Sequence, residues 1–92
     1  MAAKRAHVYI SGRVQGVSFR YYTLRQASKQ GVKGWVKNLP DGRVEAVFEG
    51  PEEKVQQMVD WCQQGSPAAQ VEEVQINWSA AQNEWSGFNV RY

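Results

Sequence analysis

Residues 12 to 20 read Gly-Arg-Val-Gln-Gly-Val-Ser-Phe-Arg, and they stand between a strand-like segment and a helix-like one. From Ala6 to Gly12, apolar and polar side chains alternate, as is typical of a half-buried strand. Residues 20–30 contain neither glycine nor proline and hold good helix formers, and Gly31 is suited to end that helix. The stretch is therefore predicted to be a short crossover from a strand into a helix.

This crossover has the composition of an anion-binding loop. Its glycines permit a tight turn in which several backbone N–H groups point at one spot, and the start of the following helix adds a partial positive charge. Arg20, at that helix start, can hold a phosphate with two parallel hydrogen bonds. Each feature also has a simpler explanation: the glycines could serve only a tight turn, and Arg20 could be a surface residue. Together they predict a site for a small dianion, formed by Gln15, Gly16, Val17, Ser18, Phe19 and Arg20.

The middle of the chain predicts a hairpin. Alternation from Gly34 to Asn38 indicates a second strand, and alternation from Val44 to Phe48 indicates a third. Between them, Leu39-Pro40-Asp41-Gly42 has the composition of a turn, because proline presets φ and Asp-Gly tolerates the tight positions.

The remainder predicts a second helix and two more strands. Gly50-Pro51-Glu52-Glu53 is typical of a helix start, and Gly65 of its end. Residues 74–78 alternate as a fourth strand, and residues 88–92 as a short closing strand. The apolar face of the first helix is predicted at Leu24, Ala27 and Ser28, and that of the second at Val55, Met58, Val59 and Cys62.

The order strand, helix, strand, strand, helix, strand, followed by a strand-like tail, predicts an α+β ferredoxin-like sandwich. In that fold two helices cover one face of an antiparallel sheet. All of residues 1–92 are expected to form one domain. A right-handed crossover makes strands one and two parallel, so that both end at the same edge of the sheet. With strand three between them, the glycine loop and Asn38 would lie about 10 Å apart.

Composition excludes several classes of function. The formal net charge is +2 and the basic residues are scattered, which argues against nucleic acid as a partner. With one cysteine and one histidine, the chain can form neither an internal disulfide nor a cysteine-rich zinc site. No apolar run is long enough to span a membrane, and the N-terminus lacks the apolar core of a signal peptide. We expect a cytoplasmic monomer with no membrane partner and no bound metal or cofactor.

The residues also limit the chemistry. A Ser-His-Asp or Cys-His arrangement would need His7 or Cys62, and both have simpler explanations: His7 as a solvated or locally bonded strand residue, Cys62 as part of a helix core. A reaction that needs little acid–base catalysis is therefore expected. Hydrolysis of a mixed anhydride of a carboxylic acid and phosphoric acid fits, because its carboxylate leaves without protonation. Asn38 suits the positioning of the attacking water, because its amide offers donors and an acceptor. The alternative is that Asn38 is an ordinary residue before a turn, with no role in positioning water.

The chain resembles the acylphosphatase family. Residues 12–20 are similar to the family's first signature, and Gly34-Trp35-Val36-Lys37-Asn38 followed by Gly42-x-Val44 and Gly50 to its second. Residues 66–71 and the closing Gly87-Phe88-x-Val90 add to the likeness, which covers essentially the whole chain.

The resemblance implies a small phosphohydrolase that acts on acyl phosphates and needs no metal. Arg20 and the loop amides would bind the phosphate, and Asn38 would orient the water while the substrate phosphate takes the proton. Inorganic phosphate would be the product and a competitive inhibitor. The sequence names no acyl group, and it does not place Arg91-Tyr92 at the site.

Two other functions remain open from the sequence. One is a module that binds a phosphorylated ligand without hydrolysing it. The other is RNA binding, since RNA-recognition domains share this topology. Glu45 and Glu49 on the predicted third strand argue against it.

Overall fold

The computed structural model describes residues 3–91, and the order of its elements confirms the predicted ferredoxin-like fold. The elements are β1 (Ala3–Arg13), α1 (Phe19–Gln30), β2 (Lys33–Asn38), β3 (Val44–Pro51), α2 (Glu52–Gln64), β4 (Gln70–Ala80) and β5 (Phe88–Arg91). Strands β1 and β4 are longer than their alternation predicts, because they pair with each other from Lys4 opposite Ala80 to Arg13 opposite Gln70. Tyr92, predicted to end the last strand, lies outside the described residues.

The sheet has the strand order β4-β1-β3-β2-β5, so β3 lies between β1 and β2 as predicted. Both β1 and β2 pair antiparallel with β3, and they are therefore parallel to each other. Ile10 and Asn38 both lie opposite Val44, which places them two strand spacings apart, about 10 Å. The ends of β1 and β2 thus face each other across the end of β3.

The last strand corrects one prediction, because the sheet is mixed and not antiparallel throughout. β5 pairs parallel with β2, from Gly34 opposite Phe88 to Lys37 opposite Arg91. The segment that precedes it runs past β1 and β3, and the buried carboxylate of Glu49 accepts hydrogen bonds from the backbone amides of residues 82 and 83, both at 2.9 Å. This path leads the chain from the end of β4 to the start of β2, so β5 must run in the same direction as β2.

The core lies between the two helices and one face of the sheet, which we call the inner face. The apolar side chains that β1, β2 and β3 contribute to it are fully buried, those of β4 and β5 are partly buried, and the predicted apolar stripe of α2 packs onto the sheet. On the inner face the fully buried strand residues are Ala6, Val8, Ile10, Val36, Val44, Ala46 and Phe48. Because side chains alternate along a strand, Asn38 shares this face with Val36.

The buried face of α1 agrees with the predicted one only at Ala27. Phe19, Thr23 and Ala27 are buried, whereas Ser28 is exposed and Leu24 is half-buried. The Thr23 hydroxyl donates to the Phe19 carbonyl at 2.7 Å, which satisfies its polar group inside the core. Gly31 ends the helix as predicted, with φ of 72° and its amide bonded to the last turn.

Candidate functional site

The loop between β1 and α1 begins at a bulge. The pairing of β1 with β4 shifts between Ser11 and Gly12, and Gly12 has φ of 121°. A Cβ on Gly12 would lie 2.3 Å from the carbonyl oxygen of Gln70, closer than any side chain tolerates. Glycine is therefore required where the chain leaves the sheet and turns toward the helix.

The loop backbone then takes a left-handed conformation twice, at Gly16 with φ of 71° and at Ser18 with φ of 61°. Ser18 caps α1 without a hydrogen bond from its side chain. In the described part of the chain, no backbone carbonyl of a turn, loop or cap accepts a hydrogen bond from the amides of residues 15–19. Amides that converge in such a turn at a helix start form a concave site with positive potential, which suits an anion.

Side-chain hydrogen bonds of two residues, which the sequence did not predict, fasten this loop. Gln15 Nε2 donates to the carbonyls of Leu39 at 2.7 Å and Arg43 at 2.9 Å, which joins the loop to the hairpin beside Asn38. On the other side, the buried Ser66 hydroxyl donates to the Val17 carbonyl at 2.7 Å. Both contacts join residues more than twenty positions apart, so a pattern of neighbouring residues could not have predicted them.

Loss of the Gln15 contact is expected to loosen the loop. Gln15→Ala should lower the free energy of unfolding by about 1–2 kcal/mol, the value of two hydrogen bonds whose carbonyls keep other partners. It should also weaken the predicted binding of phosphate several-fold, because the loop would lose its fixed position. Urea unfolding and calorimetry with phosphate measure both. Gln57→Ala, on the exposed side of α2, is the matched control. Wild-type stability and affinity in Gln15→Ala would contradict this role.

A cleft of about 540 Å³ opens between the loop, the first turns of α1 and the ends of β2 and β5. It brings together five of the predicted site residues: Gly16, Ser18, Phe19, Arg20 and Asn38. The remaining lining residues are Val14, Tyr21, Leu24 and Val90. Two predicted binding residues are absent from the lining, since Val17 is buried and the Gln15 side chain turns to the hairpin. Only their backbone amides are available for the predicted role.

Arg20 on α1 and Asn38 at the end of β2 are far apart in the sequence, but both line this cleft. Arg20 Nη1 donates to the carbonyl of Arg91 at 3.4 Å, so the end of β5 reaches the site. The side chain of Arg91 lies elsewhere, 4.6 Å from the centre of the Trp35 ring. Asn38 Oδ1 is buried, and among the described residues it has no hydrogen-bond partner. Buried polar atoms are nearly always paired, so this oxygen is suited to accept a hydrogen bond from a small molecule in the cleft.

The other two candidate residues lie away from the cleft. His7 Nε2 is 2.6 Å from Glu45 Oε2 on the outer face of the sheet. Burial alone would raise the pKa of Glu45, but hydrogen bonds from His7 and Tyr9 and the nearby charges of His7 and Lys37 together lower it. Cys62 is fully buried on the core side of α2, and burial raises the pKa of its thiol, which disfavours the reactive thiolate. Neither residue can supply a nucleophile or a base to the cleft.

A family model described as Acylphosphatase matches residues 6–90. The chain belongs to the acylphosphatase family. That name denotes hydrolases that act on the acid anhydride of acyl phosphates, and the match confirms the resemblance of the sequence motifs.

Individual relatives agree with this membership. An acylphosphatase of Syntrophobacter fumaroxidans is 52% identical over 92 residues, which are 100% of this chain and 95% of the relative. The crystal structure of acylphosphatase from Bacillus subtilis has a TM-score of 0.93 and 38% identity, and the match covers 97% of this chain and 99% of that one. HypF of T. kodakarensis matches with a TM-score of 0.83 and 29% identity, over 97% of this chain and 12% of the larger protein. Within residues 3–91, no helix is long and apolar enough to cross a membrane.

Proposed function

We propose that this protein hydrolyses the carboxyl–phosphate bond of small acyl phosphates to a carboxylate and inorganic phosphate, without a metal or other cofactor. The observation that carries the proposal is one cleft lined by the loop, by Arg20 at the start of α1 and by Asn38, whose buried oxygen has no partner among the described residues. Family membership supports the same reaction class.

The phosphoryl group is bound by Arg20 and by the amides of residues 15–20. The guanidinium offers two parallel donors to phosphate oxygens, and the helix start adds a partial positive charge. Among the described residues that line the cleft, Arg20 carries a charge and none is a carboxylate. A dianion therefore meets attraction from this lining and no repulsion. Inorganic phosphate, the product, should occupy the same place and inhibit competitively.

Asn38 positions the attacking water. Its Oδ1 accepts a hydrogen bond from the water, and this contact orients a lone pair of the water oxygen toward phosphorus. A new bond forms between this water oxygen and phosphorus while the bond from phosphorus to the carboxyl oxygen breaks. The carboxylate leaves with that electron pair and needs no proton. One proton of the water passes to an oxygen of the phosphoryl group, and the other stays on the attacking oxygen, so the products are a carboxylate and dihydrogen phosphate.

In this mechanism the protein positions the reactants and stabilises the developing charge, which are the main means of catalysis in phosphoryl transfer. The described lining residues include no histidine, aspartate or glutamate that would act as a base, and the proposed proton transfer needs none. The assignments to a monomer and to the cytoplasm stay predictions from the sequence.

Hydrolysis of benzoyl phosphate in excess EDTA tests the proposal. We expect turnover at roughly 1–10³ s⁻¹, the usual range for enzymes, with no loss on removal of divalent metals. Calorimetry with inorganic phosphate in parallel separates an enzyme from a binding module. Phosphate binding without hydrolysis above the uncatalysed rate would reject the enzyme and favour the module.

A further inference from the structure

The lining of the cleft holds two chemically different kinds of side chain outside the loop. Arg20 and Asn38 are polar and suited to phosphate and water, whereas Tyr21, Leu24 and Val90 offer apolar surface. The sequence assigned no place to the acyl group. These three residues have no part in the proposed binding of phosphate, so they are available for the rest of the substrate.

Helix α1 places Tyr21 and Leu24 beside Arg20. Arg20 and Leu24 are four residues apart on α1, and Tyr21 and Leu24 are three apart, so these side chains share one flank of the helix. Val90 approaches from β5, which the hydrogen bond from Arg20 to the Arg91 carbonyl joins to the same flank. An acyl group is bonded directly to the phosphate that Arg20 would hold. Its first carbons must therefore lie close to these three residues.

The Tyr21 ring is exposed and yet held in place. It is 55% exposed, one of two large apolar side chains of the described residues with such exposure. The Tyr22 ring meets it edge-on at 5.4 Å between centroids, and the Arg25 guanidinium lies 5.8 Å from its centre. An aromatic ring that is already positioned loses little entropy when it contacts a ligand. It can thus form a fixed apolar wall at the mouth of the cleft.

We propose that Tyr21, Leu24 and Val90 form a subsite for the acyl group, and that the cleft prefers acyl phosphates with an aromatic or branched apolar acyl group. Acetyl phosphate and carbamoyl phosphate, which are small and leave this wall uncovered, are poorer substrates. This inference rests on the proposed function for its substrate class, and it adds the three residues that determine specificity.

The test compares benzoyl phosphate with acetyl phosphate. For each variant, kcat/KM for benzoyl phosphate is divided by kcat/KM for acetyl phosphate. This ratio is then divided by the wild-type ratio, which cancels the intrinsic reactivity of the substrates. Tyr21→Ala and Leu24→Ala should each lower this ratio about fivefold or more, whereas Tyr21→Phe should keep it within about twofold because the ring remains. Trp78→Ala removes an exposed aromatic side chain from β4, outside the cleft, and should leave both rates unchanged. An unchanged ratio in both alanine variants would overturn the subsite.

A binding measurement keeps the inference separate from the proposed function. Calorimetry should show benzylphosphonate binding about tenfold tighter than methylphosphonate to the wild type, and Tyr21→Ala should remove most of that difference. If neither acyl phosphate is hydrolysed, the proposed function fails, but the phosphonates still decide whether the subsite exists. Equal affinity of the wild type for both phosphonates would reject it.

Discussion

Arg20→Ala is expected to weaken phosphate binding about 100-fold and to lower kcat/KM for benzoyl phosphate about 1,000-fold or more. Arg20 is the charged residue of the described cleft lining, and charge-assisted hydrogen bonds contribute about 1.5–3 kcal/mol each. Its contribution grows as charge develops on the transferred group, so kcat/KM falls further than the affinity for phosphate. Calorimetry with phosphate and steady-state kinetics with benzoyl phosphate measure the two effects.

Three controls make the Arg20 result specific. Arg20→Lys keeps the charge without the planar pair of donors and should recover only part of the loss. Lys29→Ala removes a cation from the last turn of α1 and should change neither quantity beyond about twofold. Because Arg20 also donates to the Arg91 carbonyl, the free energy of unfolding of Arg20→Ala is measured and should fall by no more than about 1 kcal/mol. Phosphate affinity within threefold of wild type would contradict the role of Arg20.

Asn38→Ala should separate catalysis from binding. We expect kcat for benzoyl phosphate to fall about 100- to 1,000-fold, comparable to the loss of one positioned group in other active sites, while the Kd for phosphate stays within about threefold. The reason is that, in the proposed mechanism, Asn38 orients the water, whereas the loop and Arg20 hold the phosphate. Steady-state kinetics and calorimetry on the same preparation give both values.

The unpartnered oxygen of Asn38 adds a stability readout to that experiment. Oδ1 is buried with no partner among the described residues, so its removal breaks no hydrogen bond within them. The free energy of unfolding of Asn38→Ala should therefore stay within about 1 kcal/mol of the wild-type value. Asn77→Ala, on the exposed edge strand β4, is the matched control for kcat and stability. A large loss of stability with unchanged kcat would make Asn38 a structural residue and reject its catalytic role.

The sequence predicted those parts of the protein that depend on neighbouring residues. The alternation from Gly34 to Asn38 identified β2 and put Asn38 on the inner face with Val36, and the parallel ends of β1 and β2 followed from the handedness of the crossover. The position of the loop between β1 and α1 was predictable because its glycines, the helix start and Arg20 stand within nine residues, whereas its role in binding an anion stays a prediction.

What depended on distant contacts could not be predicted in the same way. The hydrogen bonds of Gln15 and Ser66 that fasten the loop cross more than twenty residues, and the parallel direction of β5 follows from a connecting segment tied to the buried Glu49. The buried face of α1 was misplaced because Thr23 reads as polar in the sequence, while its hydroxyl is satisfied by the preceding turn.

The most direct test of the account is hydrolysis of benzoyl phosphate by the wild-type protein in H₂¹⁸O with excess EDTA, followed by mass spectrometry of both products. If a water positioned by Asn38 attacks phosphorus, each turnover puts one ¹⁸O into inorganic phosphate and none into benzoate. Label in benzoate would mean attack at the carbonyl carbon, and the absence of enzymatic turnover under these conditions would mean that the cleft does not catalyse the reaction; either result would contradict the account.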